Sequence, residues 1–245
     1  MALSFLLYAA LALFLGGVFR RVGLWMGTPQ RTSVVLTPAP TTKAGVLARV
    51  AANIAFFPAL LRGDRVLWAL GGLFHLALAL LIVGHVSGIA LAGEHFTLLG
   101  ATREQSVAWS RAIGLGVGWA FSLALAGLFV RRVASPRVRA ITGIPSYAIL
   151  ILIGAICTTG MLLRTLHVDL AAVRTFVVEV VTFRLRRLPV DAGGNLLLIH
   201  FSLVMALLSV FPHSRLLHAC GVLVSPTLAA AGLARGSAGE KEGRA

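Results

Sequence analysis

The stretch that decides the fold is VLWALGGLFHLALALLIVGHVSGIAL, residues 66–91. It contains no Asp, Glu, Lys or Arg, and it is longer than the ~20 residues that an α-helix needs to cross the hydrocarbon core of a bilayer. Two histidines, His75 and His85, interrupt the apolar side chains. An ionisable side chain at such a depth is costly and usually serves a function. The stretch therefore predicts a transmembrane helix that carries part of a functional site.

Four further apolar stretches predict additional membrane-spanning helices. Hydrophobic residues make up 58% of the 245 residues and charged residues only 12%, whereas a soluble domain has roughly 25% charged residues. Alternating segments of about 10 residues, which would indicate a membrane β-barrel, are absent from the sequence. We therefore predict an all-α integral membrane protein, a bundle of five transmembrane helices. The predicted spans cover approximately residues 3–18, 66–91, 108–130, 145–163 and 195–211.

Basic residues are concentrated in the connections after the first and third spans and in the C-terminal segment. The chain has 22 Lys and Arg against 8 Asp and Glu, a net charge of +14. Because Lys and Arg are enriched in cytoplasmic loops, we predict an N-terminus outside and a C-terminus in the cytoplasm, in a multi-pass protein of the inner (cytoplasmic) membrane. The basic residues lie between apolar spans, so we expect them to meet the lipid bilayer and no nucleic acid.

The segments outside the spans carry weaker patterns. Residues 43–62 mix apolar and basic side chains, which predicts an amphipathic helix in the membrane interface between spans one and two, bent near Pro58. A proline-containing linker, residues 27–42, precedes it, and VVEVVTFRLRRL, residues 177–188, favours a surface helix. We predict a membrane domain over residues 1–228 and a flexible cytoplasmic tail over 229–245.

Histidines also occur in the fifth span and just beyond it, at His200, His213 and His218. Neutral imidazole is a common axial ligand of the iron in electron-transfer haems. In the predicted topology His85 and His200 lie toward the outside, and His75 lies toward the cytoplasm. The pattern predicts two b-type haems, the outer one between His85 and His200. The inner one has His75 as one ligand and either His213 or His218 as the other.

Two properties of helix geometry, rise and phase, favour different inner partners for His75. His75 and His85 are separated by about 15 Å of helical rise, His200 and His213 by about 20 Å, and His200 and His218 by about 27 Å. Rise therefore favours His213. Phase favours His218, because eighteen residues complete five turns of about 3.6 residues and return to the same helix face. We favour His218, since a tilted haem tolerates a depth mismatch better than a ligand that points away from the iron.

Three stretches of the chain resemble the gamma subunit of respiratory nitrate reductase. They are Phe74-His75 through Gly84-His85, the turn Ser135-Pro136-Arg137-Val138-Arg139-Ala140, and His200 through Phe211-Pro212-His213-Ser214-Arg215-Leu216-Leu217-His218. The resemblance extends over about residues 66–226 and implies five transmembrane helices with two b haems. The ligands that it implies are His75 and His218 for the inner haem and His85 and His200 for the outer haem, with His213 at a non-ligand position.

Residues 21–62, with Thr37-Pro38-Ala39-Pro40-Thr41-Thr42, look more like the cytochrome b subunit of the membrane complex associated with dissimilatory sulfite reductase. The same superfamily includes subunits that work with heterodisulfide-reductase-like iron–sulfur proteins. The resemblance thus implies an electron-transfer subunit of a multisubunit oxidoreductase rather than an enzyme alone. Its implied partners on the cytoplasmic side are an iron–sulfur subunit and a catalytic reductase subunit. The chain has no C-x-x-C motif with which to build an iron–sulfur cluster itself.

A quinone or quinol site is expected near the outer haem. Electrons would pass from quinol to the outer haem, then to the inner haem and the partner, or in the reverse direction. Arg103 and Arg111, at the outer end of the third span, are candidates to donate hydrogen bonds to a quinone oxygen. His95, in the preceding loop, is interpreted as a solvated residue. The alternatives from other functional classes are a haem-free membrane anchor and a transporter with a histidine proton path, although no internal repeat supports a transporter.

Overall fold

The computed structural model describes residues 2–27, 42–166, 168–184, 187–189 and 193–221. Within these ranges the regular structure is helical and contains no strand. Five helices among the described residues are long and apolar enough to cross a membrane, which confirms the predicted all-helical fold and agrees with the five predicted spans. The predicted tail, residues 229–245, and most of the linker at 27–42 lie outside the described residues.

The helices follow one another along the chain in the order of their labels. The five long ones are α1 (Ala2–Gly27), α4 (Arg65–Ala90), α5 (Arg103–Ala134), α7 (Ile144–Thr165) and α9 (Gly194–Val210). The four short ones are α2 (Lys43–Phe56), α3 (Pro58–Gly63), α6 (Pro136–Ala140) and α8 (Leu170–Val181).

The third span begins earlier than the predicted residue 108. Thr102 and Gln105 form a capping box, in which the Thr102 side chain accepts a hydrogen bond from the Gln105 N–H and the Gln105 side chain accepts one from the Thr102 N–H. Such a box satisfies N–H groups that have no partner within the first helical turn. The polar residues from Arg103 onward are therefore part of α5, one or two turns before its apolar stretch.

The long helices pack in a row. The α4 helix packs against α5, α5 against α7, α7 against α9, and α9 against α1. One buried core, which includes Ala77 and Phe121, lies between α4, α5 and α7. In the described part of the chain, the two histidine-bearing helices α4 and α9 lack close packing against each other. His75 and His85 on α4 and His200 on α9 therefore belong to helices that are not direct packing neighbours.

Most apolar side chains of the long helices point away from the protein interior. At most 22% of the residues in any of the five apolar windows are buried. Leu76 and Val86 on α4, for example, are 61% and 67% exposed. Exposing such surface to water costs roughly 25 cal/mol per Å², whereas lipid tails accept it. This distribution is that of a multi-pass membrane protein.

The segment between the first two spans forms two helices with a break at Phe57. Phe57 has a φ of 47°, in the left-handed region, and the following Pro58 begins α3. A residue before proline is disfavoured in the α conformation, which accounts for the break at the predicted bend. Trp68 of α4 donates its indole N–H to the Phe56 carbonyl at 2.7 Å. Placement of α2 in a membrane interface and the orientation of the termini stay predictions.

The surface helix predicted for residues 177–188 lies earlier in the chain, as α8. Asp169 caps its start by accepting hydrogen bonds from two N–H groups of the first turn, and the turn after it contains Phe183 with a φ of 60°. One face of α8 is buried, with Phe176 only 1% exposed. Tyr8 of α1 donates its hydroxyl to a carbonyl at the end of α8, at 2.8 Å. This helix therefore closes a second core instead of lying loosely on the surface.

Candidate functional site

His75 and His218 lie side by side at one end of the bundle. Their ring centroids are 6.0 Å apart and their planes are nearly perpendicular, at 88°. Two imidazoles on opposite sides of one metal ion would have centroids about 6 Å apart, from a bond of ~2 Å and roughly 1 Å to the ring centre on each side. The spacing of the two rings fits that of a pair of axial ligands.

His200 and His218 do not lie on one continuous α-helix, as the phase argument assumed. The α9 helix ends at Val210, and two turns of 3₁₀ helix follow at Phe211–His213 and Arg215–Leu217. The prediction of one continuous helix from His200 to His218 was therefore wrong, although His218 does lie beside His75.

Pro212 and Ser214 account for the bent path. Pro212 is fully buried, and because it has no N–H it interrupts the hydrogen bonds of an α-helix. Ser214 is extended, with φ −112° and ψ 172°, and its side chain accepts a hydrogen bond from the N–H two residues later. The bend brings the ring of His218 to His75. Between His213 and His218, only His218 has a ring contact with His75 in the described residues.

His213 and His218 line a cavity of about 340 Å³. Its wall also contains Arg21, Trp25 and Arg215, so basic and aromatic side chains surround it. Phe57 was not predicted as a site residue, but its ring centroid lies 5.3 Å from that of His75. No sequence signal distinguishes Phe57 from its neighbours, because its position depends on the break between α2 and α3.

The second predicted pair consists of His85 on α4 and His200 on α9. His200 is half-buried against α7. A Cβ atom at Gly160 of α7 would lie 3.3 Å from Cε1 of His200. The absence of a side chain at Gly160 therefore makes room for the imidazole.

Hydrogen bonds fix the proton of three histidines on Nδ1. The Nδ1 atoms of His75, His85 and His218 lie 2.7, 2.7 and 2.8 Å from backbone carbonyl oxygens about one turn earlier. A carbonyl oxygen can only accept, so Nδ1 must donate. The lone pair of each Nε2 is then free to bind a metal, which is the usual arrangement in metal-ligating histidines.

His200 reaches the same tautomer through Thr159 of α7. The Thr159 Oγ1 atom lies 2.9 Å from His200 Nδ1, and it also lies 2.9 and 3.0 Å from the carbonyl oxygens of Ala155 and Ile156. Because these carbonyls only accept, the single hydroxyl proton is directed to them, and the hydroxyl oxygen accepts from His200 Nδ1–H. Thr159 was missed by the sequence analysis, since threonines that bond back to their own helix are common and rarely signify a site.

This donor set fits haem better than a free metal ion. No group of three or more His, Cys, Asp or Glu that could hold an ion occurs among the described residues, whereas haem iron needs only two axial ligands from the protein. Gly72 and Gly84 flank the histidines of α4, and a Cβ at either position would meet no atom within 4 Å. Both glycines therefore leave open space next to the histidines of α4.

The residues predicted to bind a quinone oxygen have partners within the protein. Arg103 Nε lies 2.7 Å from Glu94 Oε1, in an ion pair with a largely exposed arginine. Arg111 donates to the carbonyl of Thr165 and thereby joins α5 to α7. The interpretation of His95 as solvated is wrong for its Nδ1 atom, which is buried and has no hydrogen-bond partner among the described residues.

Comparison with known proteins gives two kinds of match. Residues 59–228 match the family model described as nitrate reductase gamma subunit, and this range contains all four predicted haem ligands. A protein of Archaeoglobus fulgidus named "Hdr-like menaquinol oxidoreductase cytochrome b-like subunit" is 28% identical, over 90% of this chain and 76% of that protein. The protein of the same name from Archaeoglobus profundus is 27% identical, over 81% of this chain and 64% of that protein. Since the family model covers well over half of its length, the chain belongs to the nitrate reductase gamma subunit family.

Proposed function

We propose that this chain is the membrane cytochrome b subunit of a multisubunit oxidoreductase. It passes electrons between the quinone pool and an iron–sulfur partner on the cytoplasmic side, which serves a catalytic reductase subunit. The observation that carries the proposal is a set of four histidines whose Nε2 atoms are free, two on α4, one on α9 and His218 beyond the end of α9. His75 with His218, and His85 with His200, would hold two b haems, which supply one-electron carriers.

The protein's own part in this function is to orient ligands and to exclude water. Backbone carbonyls hold the Nδ1 protons of three histidines, and Thr159 holds that of His200. The outward-facing apolar side chains keep these sites within the membrane. In the proposed orientation the His85–His200 pair lies toward the outside, and the His75–His218 pair faces the cytoplasm.

The quinone site is proposed at the end of the bundle that carries His85 and His200. Arg103 and Arg111 remain the candidates to donate a hydrogen bond to a quinone oxygen. Arg103 would have to exchange its bond to Glu94 for one to the quinone, and Arg111 would have to leave or share the Thr165 carbonyl.

The names of the relatives favour one partner over another. Both Archaeoglobus proteins are named as Hdr-like menaquinol oxidoreductase subunits. We therefore place a heterodisulfide-reductase-like iron–sulfur partner and a menaquinol-type substrate ahead of the nitrate reductase pathway. A sulfite-reductase-associated complex is the third possibility.

Optical spectra of the purified complex test the proposal. Dithionite should produce the absorption of reduced b haem, and a menaquinol analogue should produce part of the same signal. The partner subunits, added in oxidised form, should remove it. A complex without b-haem absorption would contradict the proposal and favour a haem-free anchor or a proton-path transporter. If the haem is present but no quinol reduces it, the chain is a cytochrome, and the proposed electron transfer with the quinone pool is contradicted.

A further inference from the structure

Arg164, near the end of α7, is a cation that the proposed function does not use. Its guanidinium lies against α5 and reaches toward α4. A Cβ atom at Gly114 of α5 would lie 3.1 to 3.3 Å from Nε, Cζ and Nη2 of Arg164, and one at Gly88 of α4 would lie 4.0 Å from Nη2. The Nη1 atom donates to the Ser110 hydroxyl at 3.4 Å. Two glycines therefore provide the space that the arginine side chain fills.

The registers of α4 and α7 place this guanidinium about one turn beyond the outer histidines. Arg164 follows Gly160, the residue that makes room for His200, by one helical turn, and Gly88 follows His85 by three residues. Residues three or four apart share a helix face. Arg164 is thus on the side of the histidines, roughly 5 Å further toward the end of the bundle, which is one turn of rise.

The charge of Arg164 has no carboxylate to balance it in the part of the chain that the structure describes. The ion pairs found there are Arg103–Glu94 and Arg131–Asp64. The charged neighbour of Arg164 is a second cation, Arg111. Partly buried charges are unfavourable unless they are paired. The arrangement favours an anionic group contributed from outside the polypeptide.

We propose that Arg164 binds a propionate carboxylate of the outer haem, and that it both retains this haem and raises its reduction potential. The inference rests on the proposed function, because it takes His85 and His200 as the ligands. The planar guanidinium suits a carboxylate, since two parallel N–H groups can donate to its two oxygens. A fixed positive charge near the iron favours the reduced form, which carries one more electron.

Redox titration of the intact complex tests this assignment. The variants are Arg164→Gln, Arg164→Lys and, as a control, Arg174→Gln, which removes an exposed arginine whose Nε donates to the Ala90 carbonyl at 2.9 Å. Arg164→Gln should lower the midpoint of one haem only, and each tenfold fall in its reduced-to-oxidised ratio at a fixed potential corresponds to about 59 mV. The midpoint of that haem in Arg164→Lys should lie between those of the unaltered complex and Arg164→Gln. Arg174→Gln should change the midpoint of neither haem. Selective loss of the outer haem in Arg164→Gln would also support the proposal.

Unchanged midpoints in an Arg164→Gln complex with both haems would overturn the proposal. If quinol oxidation fell while both midpoints stayed constant, the anion site would belong to the quinone, and the propionate assignment would be wrong. Should Arg164→Gln not accumulate, Gly114→Ala decides, because its Cβ presses on the guanidinium, with Gly116→Ala as a control that meets no atom within 4 Å. An unchanged midpoint of the outer haem in Gly114→Ala would then overturn the proposal. A haem-free unaltered complex would instead contradict the proposed function itself.

Discussion

The imidazole rings of His75 and His218 lie 6.0 Å apart, although the α-helix of the fifth span ends at Val210 and two short turns separate it from His218. The contact depends on this bend and not on helical phase. The contact also distinguishes His218 from His213. Both line the same cavity, but among the described residues His213 has no ring contact with His75.

Replacement of the two candidate inner ligands should therefore have unequal effects. We expect His218→Ala to lose one of the two haems, because His218 supplies the Nε2 lone pair that would bind iron beside His75. His213→Ala should keep both haems. Haem content per chain, measured on purified protein, checks this. Loss of a haem in His213→Ala together with its retention in His218→Ala would reverse the inner pairing.

Thr159→Val should weaken binding of the outer haem. The substitution keeps the shape of the side chain but removes the oxygen that accepts from His200 Nδ1–H at 2.9 Å. Loss of a group that orients a metal ligand typically costs roughly 10- to 100-fold in metal affinity. Haem retention during dilution in detergent measures the effect, with Thr159→Ser expected to restore it. Thr158→Val, at an exposed neighbouring position, is the matched control, and an equal loss there would contradict the role of Thr159.

Gly17→Ala should destabilise the contact between α1 and the end of α9. A Cβ at Gly17 would lie 2.5 and 2.7 Å from Cβ and Cγ of Pro212, whereas one at the adjacent Gly16 would meet no atom within 4 Å. The proline ring is rigid and buried, so the backbones must separate, at a cost of about 1–3 kcal/mol for such overpacking. Thermal unfolding in detergent should show a lower midpoint for Gly17→Ala than for Gly16→Ala. Equal midpoints would mean that the two helices do not approach this closely.

Asp64 should make stability depend on pH in the acidic range. The pKa of Asp64 lies below its usual value of 3.8, chiefly because the Leu67 N–H donates to the carboxylate and next because Arg131 does, the latter at 2.6 Å. A lowered pKa means that the contribution to stability is present at neutral pH and is lost as the pH falls through the folded-state value. Asp64→Asn, which can still cap α4, should therefore unfold at a lower temperature than the unaltered protein at pH 7.

The difference caused by Asp64→Asn should stay constant on acidification until the pH falls below about 3.8, and then shrink. Glu104→Gln, at an exposed position in the first turn of α5, serves as a control in the same titration. A difference that instead grew toward acidic pH would have the wrong sign for a carboxylate stabilised in its charged form.

The spans could be predicted from the sequence because each is a local property of about 20 apolar residues. Those of α4, α7 and α9 were located to within a few residues. The first helix continues to Gly27, past the predicted end near residue 18. Two other errors occurred where a polar side chain controls the backbone. The capping box of Thr102 and Gln105 starts α5 early, and Asp169 starts α8 ahead of the predicted surface helix.

Fewer residues of the candidate site could be predicted from the sequence. The histidines of the two spans could be identified, because an ionisable group in an apolar span is unusual. Thr159, Gly160 and Arg164 could not, since each acts on a residue of another helix and looks ordinary within α7. The bend at Pro212 and Ser214 also depends on local backbone geometry that a calculation of helical phase does not contain.

The most direct test of the central claim, two haems held by His75–His218 and His85–His200, is the haem-to-chain ratio of paired double variants. In His75→Ala/His218→Ala the two changes fall on one site, so one haem per chain should remain. In His75→Ala/His200→Ala they fall on different sites, so no stably bound haem should remain. Two haems in the unaltered protein, one in the first variant and none in the second is the predicted result. One haem in the His75→Ala/His200→Ala protein and none in His75→Ala/His218→Ala would contradict the pairing.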